Sequence, residues 1–292
     1  MPGILPNPTL TRRRAIQAGV AVAAATLTGP VAISAQSGTE YTFIVAGLDY
    51  REGFDEHNSD VLMVARVNTE LGTVNAVSIP RDLYIDIPGY GTNKITKAFD
   101  SGYYANGESW EAGAQTLTDT IVQSFGIAVD GVATTTFEGF KHIVDAVGGV
   151  TVDNPYEVVG FGSHPSFPEG IQTLDGEAAL VFVRTRKQDG DGGRNMRQQL
   201  VLQSLLVQLQ QPDVVTKLPA LVDSVRNAVQ TNIPTDLQAT LLAALPSIDP
   251  AGVTFTTVDD QLWGGTIANG MWVYQADWAT LPGYVQSLLA GQ

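Results

Sequence analysis

The stretch YTFIVAGLD, residues 41–49, decides the fold, because it is an almost continuous apolar run that ends in a glycine and an aspartate. A run of this length and composition predicts a β-strand that is covered on both faces. Two further strand-like runs follow, VLMVARVN (61–68) and TVNAVSIP (73–80), and the turn-prone residues 69–72 between them predict a hairpin. The folded part of the chain therefore begins by assembling a sheet.

Helical patterns alternate with these strands. Apolar spacing, glycine stops and an expected N-cap at Asp175 predict helices within residues 108–125, 137–147, 176–182 and 194–210, the last of them before Pro212. A further strand is predicted at VTFTTV, residues 253–258. This alternation predicts an α/β fold, three-layer-like α/β/α, with a central mixed sheet flanked by helices.

Composition narrows the function. The chain has 292 residues, 44% of them hydrophobic and 16% charged, which is typical of a globular protein with a large core. A formal net charge of -14 argues against nucleic acid as a partner, so any site for an anion must be local. The sequence contains no cysteine, which excludes disulfides and thiolate chemistry, and its three histidines show no zinc-binding spacing.

The N-terminus has the order of an export signal. Three arginines, Arg12 to Arg14, precede an alanine-rich run that extends to about Leu27, and no acidic residue occurs in the first 35 positions. This resembles a twin-arginine signal cleaved near Ala35. The predicted organisation is a signal and linker over residues 1–38 and a single catalytic domain over 39–292, located outside the cytoplasm in the cell envelope. A retained membrane anchor is the alternative.

Charged residues stand where the predicted strands end. Asp49 closes the first strand, Asp60 opens the second, and Arg81 with Asp82 follows the third. Neighbouring strands would bring these side chains to one rim, and carboxylates gathered in this way can hold Mg²⁺ together with phosphate oxygens. Ordinary turn or cap hydrogen bonds at strand ends are the alternative.

A basic stretch supplies the opposite charge. VFVRTRKQDGDGGRNMRQQ, residues 181–199, holds five of the 16 lysines and arginines. Arg184 and Arg186 would point the same way in an extended segment, and Arg194, Arg197 and Gln198 share a face of the predicted helix after a flexible DGDGG connection. Arginine forks and a helix N-terminus suit a phosphate group. The alternative is a solvated surface that pairs with the protein's own carboxylates.

Seven segments in order resemble the LytR-CpsA-Psr family. They span about 150 residues and are far more specific than any single glycine-rich loop. The segments are GLDYR (47–51), NSD (58–60), SIPRDLYIDIPG (78–89), KI (94–95), FEGFKHIVDAVGGV (137–150), LDGEAALVFVRTR (174–186) and GRNMRQQ (193–199).

The resemblance implies a fold and an activity. Members of this family have an α/β fold with an apolar groove, and they use Mg²⁺ (or Mn²⁺) to transfer a glycopolymer from a membrane-associated polyprenyl pyrophosphate to peptidoglycan. By this resemblance Asp49 and Asp60 hold the metal, Arg81 contacts the pyrophosphate, and Asp82 positions it. The pyrophosphate pocket also includes the family positions Lys94, Arg184, Arg186, Arg194 and Gln198.

The sequence alone leaves open the proton acceptor, one phosphate contact and the class of function. Arg81, Asp82 and Asp49 are the expected catalytic residues, but the sequence does not choose between Asp82 and Asp49 as the proton acceptor. Asn58 stands where the family usually has an arginine, so one phosphate contact is missing or comes from elsewhere. A non-catalytic scaffold that binds polyprenyl phosphate or wall polymer, and a pyrophosphatase that uses water as acceptor, are the alternative functions.

Overall fold

The computed structural model describes residues 38–50, 57–216 and 218–292. The strands are β1 (Glu40–Asp49), β2 (Asn58–Asn68), β3 (Thr73–Ser78), β4 (Tyr84–Ile87), β5 (Gly91–Lys94), β6 (Gly131–Thr136), β7 (Val150–Asn154), β8 (Val158–Phe161), β9 (His164–Phe167), β10 (Gly170–Leu174), β11 (Val229–Thr231), β12 (Val253–Thr257), β13 (Leu262–Thr266) and β14 (Trp272–Ala276). The helices are α1 (Lys97–Ala105), α2 (Trp110–Phe125), α3 (Phe137–Ala146), α4 (Gly176–Arg184), α5 (Gly190–Leu209), α6 (Pro212–Val215), α7 (Leu218–Val225), α8 (Thr235–Ala244) and α9 (Leu281–Leu289).

A mixed sheet of six strands lies at the centre, in the order β11-β6-β1-β2-β3-β12. β1, β2 and β3 are antiparallel neighbours, which confirms the predicted hairpin. β6 runs parallel to β1 and β12 runs parallel to β3. Parallel pairs need crossover connections, and the helices supply them. The predicted α/β class with a central mixed sheet is therefore confirmed.

One face of this sheet is sealed. Alternate residues of the central strands, among them Ile44, Ala46 and Leu48 of β1 and Leu62 of β2, are at most 3% exposed. They pack against apolar residues of α1, α2 and α9 in one continuous cluster. Because side chains of a strand alternate between faces, the same strands present a second set of residues to the other side.

A separate hydrophobic cluster forms the layer on that other side. It joins α3, α4 and α5 to strands β7 to β10, and its fully buried members are Val144, Val150, Val158, Ala179 and Phe182. No residue of β1 or β2 in the described chain belongs to this cluster. The second layer therefore has a core of its own, and a space is left between it and the sheet.

Helix ends follow the predicted caps in part. Ser109, Thr136 and Asp175 each accept a backbone N–H at the start of α2, α3 and α4, so the predicted cap at Asp175 is confirmed. The helix expected from Arg194 starts earlier, at Gly190, so most of the DGDGG segment is helical and not a flexible connection. Its other end is at Leu209, three residues before Pro212, which opens α6 instead.

The predicted export signal and its cleavage site near Ala35 lie outside the described residues, so they stay predictions, as does the boundary at residue 38. Within the described ranges, no helix has the length and apolar character needed to cross a membrane.

Candidate active site

A cavity of about 300 Å³ separates the open face of the sheet from the layer of α3, α4 and α5. Its volume is at the lower end of the range for small-molecule sites. Part of its wall is apolar, and charged groups line it at the ends of strands and helices. The apolar wall comprises Val45, Val61, Met63, Phe137, Phe140, Leu180, Val183, Val201 and Leu202.

The charged and polar lining includes seven of the nine site residues that the family resemblance implied. These are Asp49, Asp60, Arg81, Arg184, Arg186, Arg194 and Gln198. They come from β1, β2, the turn after β3, the C-terminal end of α4 and the first turns of α5. The other two, Asp82 and Lys94, do not line the cavity; they lie behind Arg81.

A bulge in β2 sets the position of Asp60. Gly47 pairs with Val61 while the next residue, Leu48, pairs with Ser59, so Asp60 is an extra residue on its strand. Regular alternation from Leu62 would place residue 60 on the sealed face, among apolar side chains. The bulge frees Asp60 from that alternation and lets its side chain line the cavity, as bulges beside functional sites often do.

The carboxylate of Asp60 meets the guanidinium of Arg81, with Asp60 Oδ1 2.6 Å from Arg81 Nη1. Arg81 Nε lies 3.5 Å from Asp82 Oδ2, and Lys94 Nζ lies 2.6 Å from Asp82 Oδ1. The four residues thus form a chain of alternating charge, in which Asp60 and Arg81 line the cavity and Asp82 and Lys94 do not. Asp82 fixes the direction of Arg81, and Lys94 neutralises the extra carboxylate.

Thr96 ties the bulge to the Arg81 turn. Its side-chain hydroxyl donates to the carbonyl of Ser59 at 3.0 Å, and its own carbonyl accepts from Ser59 N at 3.2 Å. Its backbone N–H donates to the carbonyl of Arg81 at 3.1 Å. Thr96 is buried, so these bonds are shielded from water and hold the two sides of the ion pair in register.

Arg184 and Arg186 face the cavity from the other side. Both line it, and neither forms an ion pair with a carboxylate in the described part of the chain. The guanidinium of Arg184 lies 4.2 Å from the centroid of the Phe137 ring, which holds it without neutralising its charge. Arg184 is the last residue of α4, and Arg186 follows two residues later. The two arginines therefore both line the cavity because α4 ends there, and not because they alternate along an extended segment as the sequence predicted.

Arg197 does not share this role. Its side chain is fully buried and forms an ion pair with Asp189, with Nη1 2.6 Å from Asp189 Oδ2. It also donates to the carbonyls of Phe182 and Thr185. The expectation that Arg197 converges on an anion with its neighbours is wrong, because its guanidinium is fully buried and binds Asp189 and two backbone carbonyls of the protein itself. It fixes the end of α4, which carries Arg184, and the connection to α5, which carries Arg186.

Asp189 is a strongly held carboxylate. It accepts hydrogen bonds from Arg197 and, at 2.7 Å, from the hydroxyl of Tyr156. The hydrogen bonds from Arg197 hold the pKa of Asp189 below its usual value, and the bond to Asp189 raises the pKa of the Tyr156 hydroxyl. The negative charge of Asp189 is therefore directed at Arg197 and away from the cavity.

The donor set at the rim suits a metal ion that arrives with its substrate. Asp49 and Asp60 both line the cavity, while no group of three or more metal-ligating side chains exists among the described residues. Mg²⁺ is usually held by one or two carboxylates together with substrate phosphates and waters. The two aspartates fit that pattern and would need phosphate oxygens to complete the coordination.

Sequence reasoning missed part of the apolar wall. Phe137 and Phe140 line the cavity from the first turn of α3, and their i, i+3 spacing was the available signal. Of the leucines in α5, Leu202 lines the cavity, whereas Leu205 is buried in the second cluster. Helical periodicity finds the buried face of α5 but does not separate a core contact from a cavity contact.

Comparison with known proteins identifies the family. The model of the LytR_cpsA_psr family matches residues 13–286. The chain belongs to the LytR-CpsA-Psr family. This membership confirms the resemblance that the seven motifs indicated.

Two relatives of the chain carry the name polyisoprenyl-teichoic acid–peptidoglycan teichoic acid transferase TagU. The protein from Oceanobacillus iheyensis is 36% identical over 233 residues, which are 79% of this chain and 69% of that protein. The protein from Bacillus subtilis is 32% identical over 252 residues, or 85% of this chain and 76% of that one.

Solved structures of the family share the fold. TagV of Bacillus subtilis superposes with a TM-score of 0.69 at 24% identity, covering 86% of this chain and 98% of TagV. TagU of Bacillus subtilis superposes with a TM-score of 0.60 at 28% identity, covering 86% of this chain and 96% of TagU. The mixed sheet with its two flanking layers is therefore the family fold.

Proposed function

We propose that this protein is a glycopolymer–peptidoglycan phosphotransferase, which moves a wall polymer from a polyprenyl pyrophosphate carrier to peptidoglycan and releases polyprenyl phosphate. The observation that carries this proposal is a single cavity with two chemistries, an apolar wall and a rim of four arginines and two aspartates. A polyprenyl pyrophosphate has the same division between an apolar tail and a charged head. The names of the relatives support the same reaction.

The two sides of the rim have different tasks. Arg184 and Arg186 have no carboxylate partner in the described part of the chain, so their charge is available to the pyrophosphate. Arg81 is held by Asp60 and Asp82 in a fixed direction, which suits it to stabilise charge that grows on the departing polyprenyl phosphate. The charge supplied by a bound Mg²⁺ or Mn²⁺ would reduce repulsion between the phosphates and the incoming oxygen.

The transfer exchanges one phosphorus–oxygen bond for another. A hydroxyl oxygen of peptidoglycan attacks the phosphorus that carries the sugar, and the bond from that phosphorus to the bridging oxygen of the polyprenyl phosphate breaks. The hydroxyl proton goes to a carboxylate. We assign that role to Asp49, because it lines the cavity and Asp82 does not.

We propose that this reaction takes place on the outer side of the membrane, in the cell envelope. The carrier lipid is held in the membrane and peptidoglycan lies outside it, so the cavity must reach both. The arginine-rich start of the chain supports export.

A reconstituted transfer assay tests the function. The full chain is incubated with a polyprenyl-pyrophosphate oligosaccharide and peptidoglycan fragments, and mass spectrometry follows both lipid release and sugar attachment. We expect attachment that requires Mg²⁺ or Mn²⁺ and that falls roughly 100-fold or more in Arg81→Ala. Arg226→Ala is the matched control, because Arg226 is 73% exposed and pairs only locally with Asp223; its rate should equal wild type.

The other outcomes separate the alternative functions. Lipid release without attachment would support a pyrophosphatase. Tight lipid binding without turnover, unchanged by a chelator, would support a scaffold. An Arg81→Ala variant that works within about a factor of two of wild type would contradict the role given to that side chain.

A further inference from the structure

An exposed aromatic surface stands beside the candidate active site and takes no part in the chemistry described above. The hairpin of β13 and β14 carries Trp263 and Trp272, whose side chains are 51% and 45% exposed. Trp272 and the Tyr274 ring packed against it form one aromatic patch on this hairpin, and a contiguous exposed apolar patch can mark a binding surface. The position, support and charge of this hairpin indicate what it binds.

The hairpin is attached to the residue that orients Arg81. The backbone N–H of Tyr274 donates to the carbonyl of Asp82 at 2.9 Å, and Tyr274 forms a parallel bridge with Leu83. The side chain of Asp82 in turn contacts Arg81. β12 and β3 are parallel and end in register at Thr257 and Ser78, so the hairpin leaves the sheet at the same edge as the Arg81 turn.

Trp272 is held as a flat plate. It lies opposite Thr266, and its indole crosses to Gly264, where a Cβ would lie only 2.5 Å from Cζ2 of the ring. The Tyr274 ring packs against it edge-on, with centroids 4.7 Å apart. One side of the indole is thus seated in the gap that Gly264 leaves, and the residue as a whole remains 45% exposed.

Trp272 and Trp263 are on opposite faces of the hairpin. Gly264, Thr266, Trp272 and Tyr274 share one face, whereas Trp263 alternates to the other. Trp272 is two residues from Tyr274, which corresponds to roughly 7 Å along the strand. An extended oligosaccharide of a few sugar units can therefore bridge Trp272 and the rim at Arg81.

The acidic residues around the β13–β14 hairpin indicate which class of ligand it can bind. The sequence contains no lysine or arginine after Arg226, and Asp259, Asp260 and Asp277 flank the hairpin. An anionic polymer or an anionic lipid surface would be repelled here. An uncharged ligand with one flat apolar face and a hydroxylated edge fits better, because the indole offers a ring face and Thr266 adds an exposed hydroxyl group.

We propose that the Trp272 plate binds the glycan strand of the acceptor, an uncharged chain of β-1,4-linked N-acetylhexosamines, and so delivers its hydroxyl to the rim. The sugar C–H groups stack on the indole, and the sugar hydroxyls face Thr266 and the acidic edge. This inference rests on the proposed function, for which it names the acceptor subsite.

Binding is measured first, on the full chain, with two uncharged oligosaccharides of β-1,4-linked N-acetylglucosamine, chitotetraose and chitohexaose. Tryptophan fluorescence and saturation-transfer NMR report the interaction. We expect Trp272→Ala to weaken binding at least tenfold and Trp272→Phe to keep most of it. Trp263→Ala is the matched control, the same residue type on the other face, and should bind as wild type does.

A second variant disturbs the plate without removing it. Gly264→Val places a side chain where the indole now lies, so it should weaken binding although Trp272 is present. In the transfer assay, Trp272→Ala should raise the KM for the glycan acceptor at least fivefold and leave the KM for the lipid donor unchanged. A structural defect would instead change both.

The outcomes are distinct. Wild-type protein that binds neither saccharide overturns the subsite, and so does an equal loss in Trp263→Ala. Flotation with phosphatidylcholine vesicles tests a membrane role; if Trp272→Ala loses flotation but not saccharide binding, the hairpin binds membrane and the proposal is wrong. Transfer with an unchanged acceptor KM overturns the inference alone, whereas Trp272-dependent saccharide binding without any transfer overturns the proposed function alone.

Discussion

The two faces of the central sheet are built from the same strands and serve opposite purposes. On β1, Ile44 is fully buried against the layer of α1, α2 and α9, while its neighbour Val45 is 38% exposed and lines the cavity. On β2, Leu62 is buried on the sealed face and Val61 lines the cavity. One face supplies the stability that comes from apolar burial, and the other leaves room for a ligand.

The layer over the open face contacts the sheet only in part, through α3 at β1 and β6 and through α5 at β12, because the cavity occupies the space between them. It has its own hydrophobic cluster, and Arg197 fastens the α4–α5 connection with a buried ion pair. Buried ion pairs add little net stability compared with apolar packing, but breaking one is costly. The open side thus depends on a few specific polar contacts, whereas the sealed side depends on many interchangeable ones.

Of the substitutions that compare the two sides of the sheet, Arg197→Ala should cause the largest loss in the free energy of unfolding. The change leaves Asp189, whose side chain is 18% exposed, without the buried guanidinium and removes donors from the carbonyls of Phe182 and Thr185. Loss of one partner of a buried pair costs about 3–5 kcal/mol. Urea unfolding of wild type and variant measures the free energy of unfolding.

Arg226→Ala is the control for loss of an arginine, since an exposed pair contributes about 1 kcal/mol or less. The pH dependence adds a second test. Because the folded-state pKa of Asp189 is lowered, its contribution is present above the unfolded value of about 3.9 and is lost as the pH falls through the lower folded-state value. Equal stability of Arg197→Ala and Arg226→Ala would show that the pair does not hold this layer.

Neighbouring substitutions on β1 compare the two faces directly. Ile44→Ala removes a fully buried side chain from the sealed face and should cost about 2–5 kcal/mol. Val45→Ala, one residue later on the cavity face, should cost about 1 kcal/mol or less, because its side chain is already partly in water. Urea unfolding of both variants gives the two values, and similar losses would contradict the assignment of an open face.

Filling the open face should change binding more than stability. Val45→Trp places an indole in the cavity, where there is space that no core residue occupies. We expect polyprenyl phosphate to bind at least tenfold more weakly, which is about 1.4 kcal/mol, while the unfolding midpoint in urea changes little. Titration with a short polyprenyl phosphate measures the affinity. Unchanged affinity would mean that the apolar tail lies elsewhere.

The sequence was sufficient for the features that depend on strand ends. An apolar run followed by Asp49, and a hairpin followed by Arg81, place both residues at edges of one sheet, because strand pairing brings such ends together. The sequence also placed Asp60 at this rim, but it did not show the bulge by which Asp60 reaches the cavity. One inserted residue alters the register of β2 without altering any residue type, so the bulge leaves no mark in the hydrophobic pattern.

Arg197 and Lys94 show a second limit. The sequence around Arg197 is the same whether this arginine binds a phosphate of a ligand or a carboxylate of its own chain. In the folded protein Arg197 binds Asp189 and the carbonyls of Phe182 and Thr185. Lys94 likewise forms an ion pair with Asp82. Burial and pairing are properties of the folded chain, and motif spacing does not contain them.

The smallest predicted change in the free energy of unfolding comes from His57, the residue before β2. Its ring stacks on Tyr50 and packs at a tilt against Tyr103, and its Nδ1 lies 3.0 Å from the Tyr104 hydroxyl. Burial lowers the pKa of His57 below 6.5 despite the opposing charges of Asp100 and Glu108. The unfolded chain therefore binds more protons below about pH 6.5, and the free energy of unfolding should fall as the pH falls through that value. Urea unfolding at pH 7.5 and 5.5 should show a smaller decrease in His57→Gln than in wild type, and an equal decrease in both proteins would place the sensitivity elsewhere.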